Sequence, residues 1–157
     1  MTRSFCIAAL ATLACASVAV AQDAPPSPEE QAVRARQSHM SLYAFNLGKL
    51  GAMAQGNIEY DAAAATTAAQ NLSLMTQLDQ AGYWLPGTSN AEFDDSEALP
   101  VIWENMDEFS ARHEALEQAV TSLQTGAGTD LATLQASLGE VGKACGACHQ
   151  DYREADD

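Results

Sequence analysis

The sequence predicts an all-α protein, an antiparallel up-down-up-down four-helix bundle. Two observations carry the prediction. Apolar residues recur at steps of three and four through four separate stretches, with no alternating strand pattern competing anywhere. Each stretch opens on a capping residue, and three of the four are stopped by glycine, with mostly short links that make neighbouring helices antiparallel.

The chain begins before the bundle does. Residues 1–21, "MTRSFCIAALATLACASVAVA", have one early cation (Arg3), an apolar run from Phe5 to Val18, and Ala19-Val20-Ala21 as a small-x-small cleavage site. That is the pattern of an export signal, and the run is short for a membrane span. Cleavage after Ala21 leaves a 22–27 flexible leader and a 28–157 helical domain, with no membrane segment in the mature form. Export of this kind implies a periplasmic location.

Ser27-Pro28-Glu29-Glu30 starts the first helix, with Ser27 and Glu30 as a capping box and Pro28 at the first helical position. Val33, Arg36, Met40, Tyr43, Leu47, Leu50 and Ala54 share one face, ending near Gly56. Asp61 caps a second helix, whose face is Ala68, Leu72 and Met75, widened by Leu74 and Leu78, with Gly82 as its stop. A long irregular link follows, "YWLPGTSNAEFDDSEAL", with a Pro86-Gly87 turn. Pro100 opens the third helix, and Ile102, Met106, Phe109, His113, Leu116, Val120 and Leu123 form its seam up to Gly126. Thr129 or Asp130 caps the fourth, along which Leu131, Leu134, Leu138, Val141, Cys145, Cys148 and Tyr152 step inward.

The chemistry lies at the end of that last seam. Cys6 and Cys15 leave with the signal, so the mature chain keeps one close pair, too few for a disulfide framework. In "KACGACHQDY", Cys145, Cys148 and His149 sit at i, i+3 and i+4, on one side of a helix. Two thiols one turn apart can each add to a haem vinyl group, and the next histidine then lies under the iron; Cys-x-x-Cys-His is the attachment signature of c-type haem. Structural zinc would want four ligands, and His39 and His113 are remote and singly placed. A redox dithiol would want a helix N-terminus in a βαβ setting. The expected cofactor is therefore one covalently attached haem c, with His149 as proximal iron ligand.

The formal net charge is −14, and losing Arg3 without any acid takes it to −15. Such acidity argues against nucleic acid and anionic membranes, and fits a redox partner with a basic surface.

At these residues the sequence resembles the cytochrome c′ family, the class II c-type cytochromes. The matching pieces are "RQSHM" and "LGAM" in helix one, "YDA" before helix two, "PGT" in the loop, "IWENMDEF" in helix three and "GKACGACHQDYR" at the end. One departure is Gln55 in "LGAMAQG", where the family usually has lysine. The resemblance implies a four-helix haem protein that is no enzyme, that serves electron transfer or binding of small gases such as nitric oxide and carbon monoxide, and that forms a homodimer through its first two helices. Ala62–Ala65 offers such a dimer a small-residue face. The resemblance also sets Met40 on the distal side. There Met40 ligates the iron, giving a low-spin, gas-inert carrier; or it covers an open iron without bonding; or it is only core. Arg36 matches the arginine of the family's "RQ" pair, and an otherwise unpaired charge in the seam suits a haem propionate. Arg153, four residues past His149, either shields the proximal face or joins a surface ion pair. His113 is a hydrogen-bonded core residue or a second ligand. A peroxidase-like role is disfavoured, because only His113 offers a distal acid–base.

Overall fold

The computed structural model describes residues 25–155; the expected signal peptide and the first part of the leader lie outside them. Helix α1, Pro28–Ala54, begins on the capping box: Ser27 Oγ accepts from the Glu30 amide at 3.1 Å, and Glu30 Oε2 accepts from the Ser27 amide at 2.8 Å. It ends on Gly56, whose φ of +74° closes a Schellman turn in which the Asn57 amide reaches Ala52 O and the Gly56 amide reaches Met53 O.

Helix α2 spans Ala62–Thr76, with Asp61 Oδ1 accepting from the Ala63 and Ala64 amides. It stops well short of Gly82. Thr76 Oγ1 and Gln77 Nε2 both donate to Ser73 O, so side chains occupy the carbonyl that a further turn would need. Asp79 then accepts from the Ala81 amide, and residues Ala81–Tyr83 form a 3₁₀ turn. Leu74 and Leu78, expected inside, are 57 % and 51 % exposed, because Ala65, Ala68, Ala69 and Leu72 carry the buried face instead.

The expected third helix is two pieces, α3 Val101–Glu104 and α4 Met106–Gly126. Asn105 leaves the helical region at φ −146° and ψ 74°, and its Oδ1 caps the new start by accepting from the Glu108 amide. Asparagine competes with the helix in this way through its own side chain. Helix α5, Leu131–Tyr152, is capped by Asp130, which accepts from the Thr133 amide at 2.7 Å.

Helix α1 packs on α2 and α5, and α4 packs on α2 and α5, so the four long helices close into a bundle. Leu50, Leu72, Leu123 and Leu134, each no more than 1 % exposed, fill one part of it. The α4–α5 turn sits so close to α2 that a Cβ on Gly128 would lie 2.2 Å from Thr66 Oγ1. Among the described residues no helix is long and apolar enough to cross a membrane.

Candidate functional site

Part of each seam is sealed, as at Leu50, Leu72, Val120, Leu123, Leu134 and Val141, but one subset borders a common space. Met40, Leu47, Met106, His113, Leu116, Cys145 and Cys148 all lie on the inward seams, yet none is fully buried, and all line one cavity of about 830 Å³. This is within the range of cofactor pockets. α1 contributes a wall from Arg36 to Leu47, about 16 Å of helix at 1.5 Å per residue. Facing it is α5, with Cys145, Cys148, His149, Tyr152 and Arg153.

The two thiols are half-buried and free, with no disulfide between them. Burial pushes both upward from the ordinary thiol range, Cys148 to about 11, so neither is a poised redox nucleophile. Cys145 packs against the leucine core, whereas Cys148 packs against an aromatic group. There Trp84 and Phe109 meet edge to face at 4.6 Å, Phe109 and Tyr152 at 5.2 Å, and Trp103 Nε1 donates to Trp84 O. His149 is exposed, at the edge of the cavity that opens to solvent. Among the described residues no cluster of three or more His, Cys, Asp or Glu side chains is arranged to hold a metal.

Arg36 is 5 % exposed, and its guanidinium is wrapped by the long loop. Nη1 donates to Thr88 Oγ1 at 2.9 Å and to Tyr83 O at 3.3 Å, while Nη2 donates to Thr88 O and Ser96 Oγ. The Cζ atom lies 5.2 Å over the Trp84 ring. The loop thus supplies the hydrogen bonds that sequence reasoning assigned to a propionate. It supplies no negative charge, and burial alone lowers the pKa of the guanidinium. Arg153 approaches Glu97 at 3.9 Å, and its backbone bridges Ala98, tying the loop to the end of α5.

A family model described as cytochrome C′ matches residues 31–153, nearly the whole described chain. The chain belongs to the cytochrome c′ family. It is 43 % identical over 138 residues to cytochrome c-554 of Cereibacter sphaeroides, covering 88 % of this chain and 89 % of that one. A solved cytochrome c′ from Rhodobacter sphaeroides superposes with a TM-score of 0.80 at 38 % identity, covering 82 % of this chain and 98 % of that one. A nitric oxide complex of a cytochrome c prime variant from Alcaligenes xylosoxidans superposes at 0.71 with 32 % identity, covering 81 % and 97 %.

Cytochromes c′ carry one covalently bound c-type haem, and haem c is the cofactor of this chain. The cavity fits it: mainly apolar walls, two free thiols one helical turn apart, an imidazole at the mouth and three cations, Arg36, Arg112 and Arg153, on its lining.

His39, next to Met40 in the chain, is absent from the cavity wall. It is nonetheless buried, 4 % exposed, tilted against Tyr43 at 4.6 Å and edge-on to Tyr83 at 5.6 Å, because α1 buries a second stripe of Ala32, His39, Asn46 and Met53. His113 has the hydrogen-bond partner that a seam histidine needs, Gln80, at 2.9 Å. Gln80 and Arg112 went unnoticed in the sequence. In the sequence Gln80 falls at the polar end of the expected second helix, which the structure ends at Thr76, and Arg112, paired with Asp151 at 2.8 Å, looks like any surface cation.

Proposed function

We propose that this protein is an exported electron-transfer cytochrome whose iron also admits small gases. Cys145 and Cys148 form the two thioethers, His149 is the proximal ligand, and Met40 covers the opposite face without bonding. The single observation that carries this reading is that these four residues, from two helices more than a hundred positions apart in the chain, line one cavity. Bound haem supplies a one-electron iron couple and an axial position for a small ligand. The chain's own residues then set what reaches it. Met40, 39 % exposed, lines the cavity from α1 with room to move. Arg36 offers a cation with no carboxylate among the described residues within ion-pairing distance, which suits a propionate alongside its loop contacts. Arg153 lines the same cavity and approaches Glu97 at 3.9 Å, which suits either a shield over the proximal face or a surface ion pair. The nitric oxide complex of the Alcaligenes relative supports the gas-binding part.

The runner-up is a low-spin carrier in which Met40 is the sixth ligand and gases are excluded; the same place of Met40 on the cavity wall favours it. We further propose cleavage after Ala21, a 22–27 leader and a 28–157 domain in the periplasm, in line with the general location of the family. Meeting a basic redox partner follows from the acidic surface. For a homodimer through the first two helices, Ala62, Ala63 and Ala64 are exposed while Ala65 is in the core, and Leu42 and Phe45 on α1 and Leu74 and Leu78 on α2 add apolar side chains more than half exposed. They flank the α1–α2 seam marked by the Asn71–Asn46 hydrogen bond, and a second copy would bury them.

The test is an intact mass of the secreted protein with optical spectra of its reduced form, with and without nitric oxide or carbon monoxide. A mass that includes one haem, and a high-spin spectrum that changes with gas, are expected. Polypeptide mass alone sinks the haem assignment; a low-spin, gas-inert spectrum hands the case to Met40 ligation.

A further inference from the structure

One polar group on the cavity wall has no task in the fold. Tyr43 is 7 % exposed, its hydroxyl is shut off from bulk solvent, and no protein atom accepts or donates a hydrogen bond to it. Buried hydroxyls are nearly always paired, and an orphan is costly. Tyr43 sits three residues past Met40, on the same face of α1, among Leu47, Leu116 and Cys145. The Gln80 carboxamide lies near enough to favour the phenolate slightly, with its Nε2 engaged by His113, but no hydrogen bond of acceptable geometry joins it to the Tyr43 hydroxyl. His39 packs behind the ring and holds it from the other side. Burial pushes the phenol up to about 12, so it remains a proton donor at any physiological pH.

We propose that the Tyr43 hydroxyl donates a hydrogen bond to a small ligand held in this cavity beside Met40, so that ligands whose outer atom accepts a hydrogen bond are retained over those that accept poorly. The proposal rests on the gas-binding reading above. It adds a specificity element that the sequence hid, since a tyrosine on an apolar seam counts there as core. The ring is fixed by His39 and by the leucines of α1 and α4, and Gln80 with His113 gives that side of the cavity its remaining polarity. A donor fixed before the ligand arrives loses little freedom on binding it, which is what lets one hydrogen bond discriminate.

The experiment uses the haem-loaded protein, wild type and Tyr43→Phe, reduced and exposed to nitric oxide or carbon monoxide. The substitution removes one oxygen and keeps the ring. Nitric oxide should leave the variant roughly fivefold faster, the weight of one ordinary hydrogen bond. Its N–O stretch should rise in the infrared, and carbon monoxide release should change less. Without gas, the variant should unfold at or above the wild-type temperature, because the group removed had no partner. An unchanged N–O stretch and release rate would overturn the proposal. So would a lowered unfolding temperature, which would mean that the hydroxyl is already bonded within the fold. A wild-type protein inert to both gases would defeat the gas-binding reading itself, and that result is seen before any variant is made.

Discussion

Replacing Arg36 with methionine tests whether the guanidinium is the peg of the long loop. The side chain keeps its apolar stem and loses four donated bonds: to Tyr83 O, Thr88 Oγ1, Thr88 O and Ser96 Oγ. They are not equal. The Tyr83 contact is long at 3.3 Å, and Thr88 Oγ1 still donates to Leu85 O. Ser96 Oγ still donates to Thr88 O at 3.0 Å, so that pair half-satisfies itself. About two charge-assisted bonds are therefore lost outright, each worth about 1.5–3 kcal/mol, against which the variant no longer buries a cation. The stacking over Trp84 adds about 1 kcal/mol. A net loss of about 3 kcal/mol follows, or roughly 10 °C in unfolding temperature for a domain of this size. Chemical denaturation of the haem-loaded protein measures it. Arg36→Lys should recover less than half, since one ammonium cannot span acceptors on both sides of the loop. A loss below about 1 kcal/mol, together with a lowered reduction potential, would refute the reasoning: the cation would then be serving the haem edge and not the loop.

Three shorter predictions follow. Met40→Ala should leave the spin state of the iron unchanged and speed carbon monoxide entry, read by absorption spectra and flash photolysis; a low-spin to high-spin change would show that the thioether had been a ligand. Gly128→Ala should cost about 1–3 kcal/mol in thermal unfolding, because its Cβ would meet Thr66 Oγ1 at 2.2 Å and displace that hydroxyl from Ala62 O; an unchanged unfolding temperature would mean that the turn yields freely. Stability should also fall at alkaline pH through Tyr43. The folded phenol, at about 12, holds its proton after the unfolded chain has lost its own near 10, so this contribution is full below pH 10 and disappears by pH 12. It amounts to about 3 kcal/mol from the two-unit shift. Denaturation midpoints of wild type and Tyr43→Phe, with the variant equal or higher at pH 9, should diverge as pH rises to 12 because only the wild type loses stability; parallel curves would contradict the assignment.

The helical periods of the four long elements were legible because each is dictated by one face that must leave water, and the caps at Ser27, Asp61 and Asp130 announce themselves through residues that can accept an amide hydrogen bond. The errors share a cause. At Thr76 and Asn105, side chains compete with the backbone for its own hydrogen bonds, a local contest that apolar periodicity does not register. Leu74 and Leu78 look inward by hydropathy, yet three alanines bury the opposite stripe, because α2 must approach α1 and α4 closely there. Leucines left outside point to a surface whose partner is another chain, information that one chain's sequence holds only as an anomaly.

The site divides in the same way. Cys145, Cys148 and His149 were legible because attachment chemistry fixes residue types at fixed spacing on one helix. The wall opposite them was legible only in outline. Its members obey the seam rule, and nothing in the 3-4 rhythm separates a position that packs against leucine from one that packs against a cofactor. What separates them is a shared space: Met40, Met106, His113 and Cys148 are incompletely buried around one cavity, whereas Leu131 and Leu138 are incompletely buried without one. Polar residues with unfinished hydrogen bonds mark the same volume more sharply, because hydrophobic packing tolerates a gap far better than a buried hydroxyl tolerates solitude. Tyr43 is therefore the residue whose environment says most about what the cavity is built to receive, although in the sequence it is only one more apolar step between Met40 and Leu47.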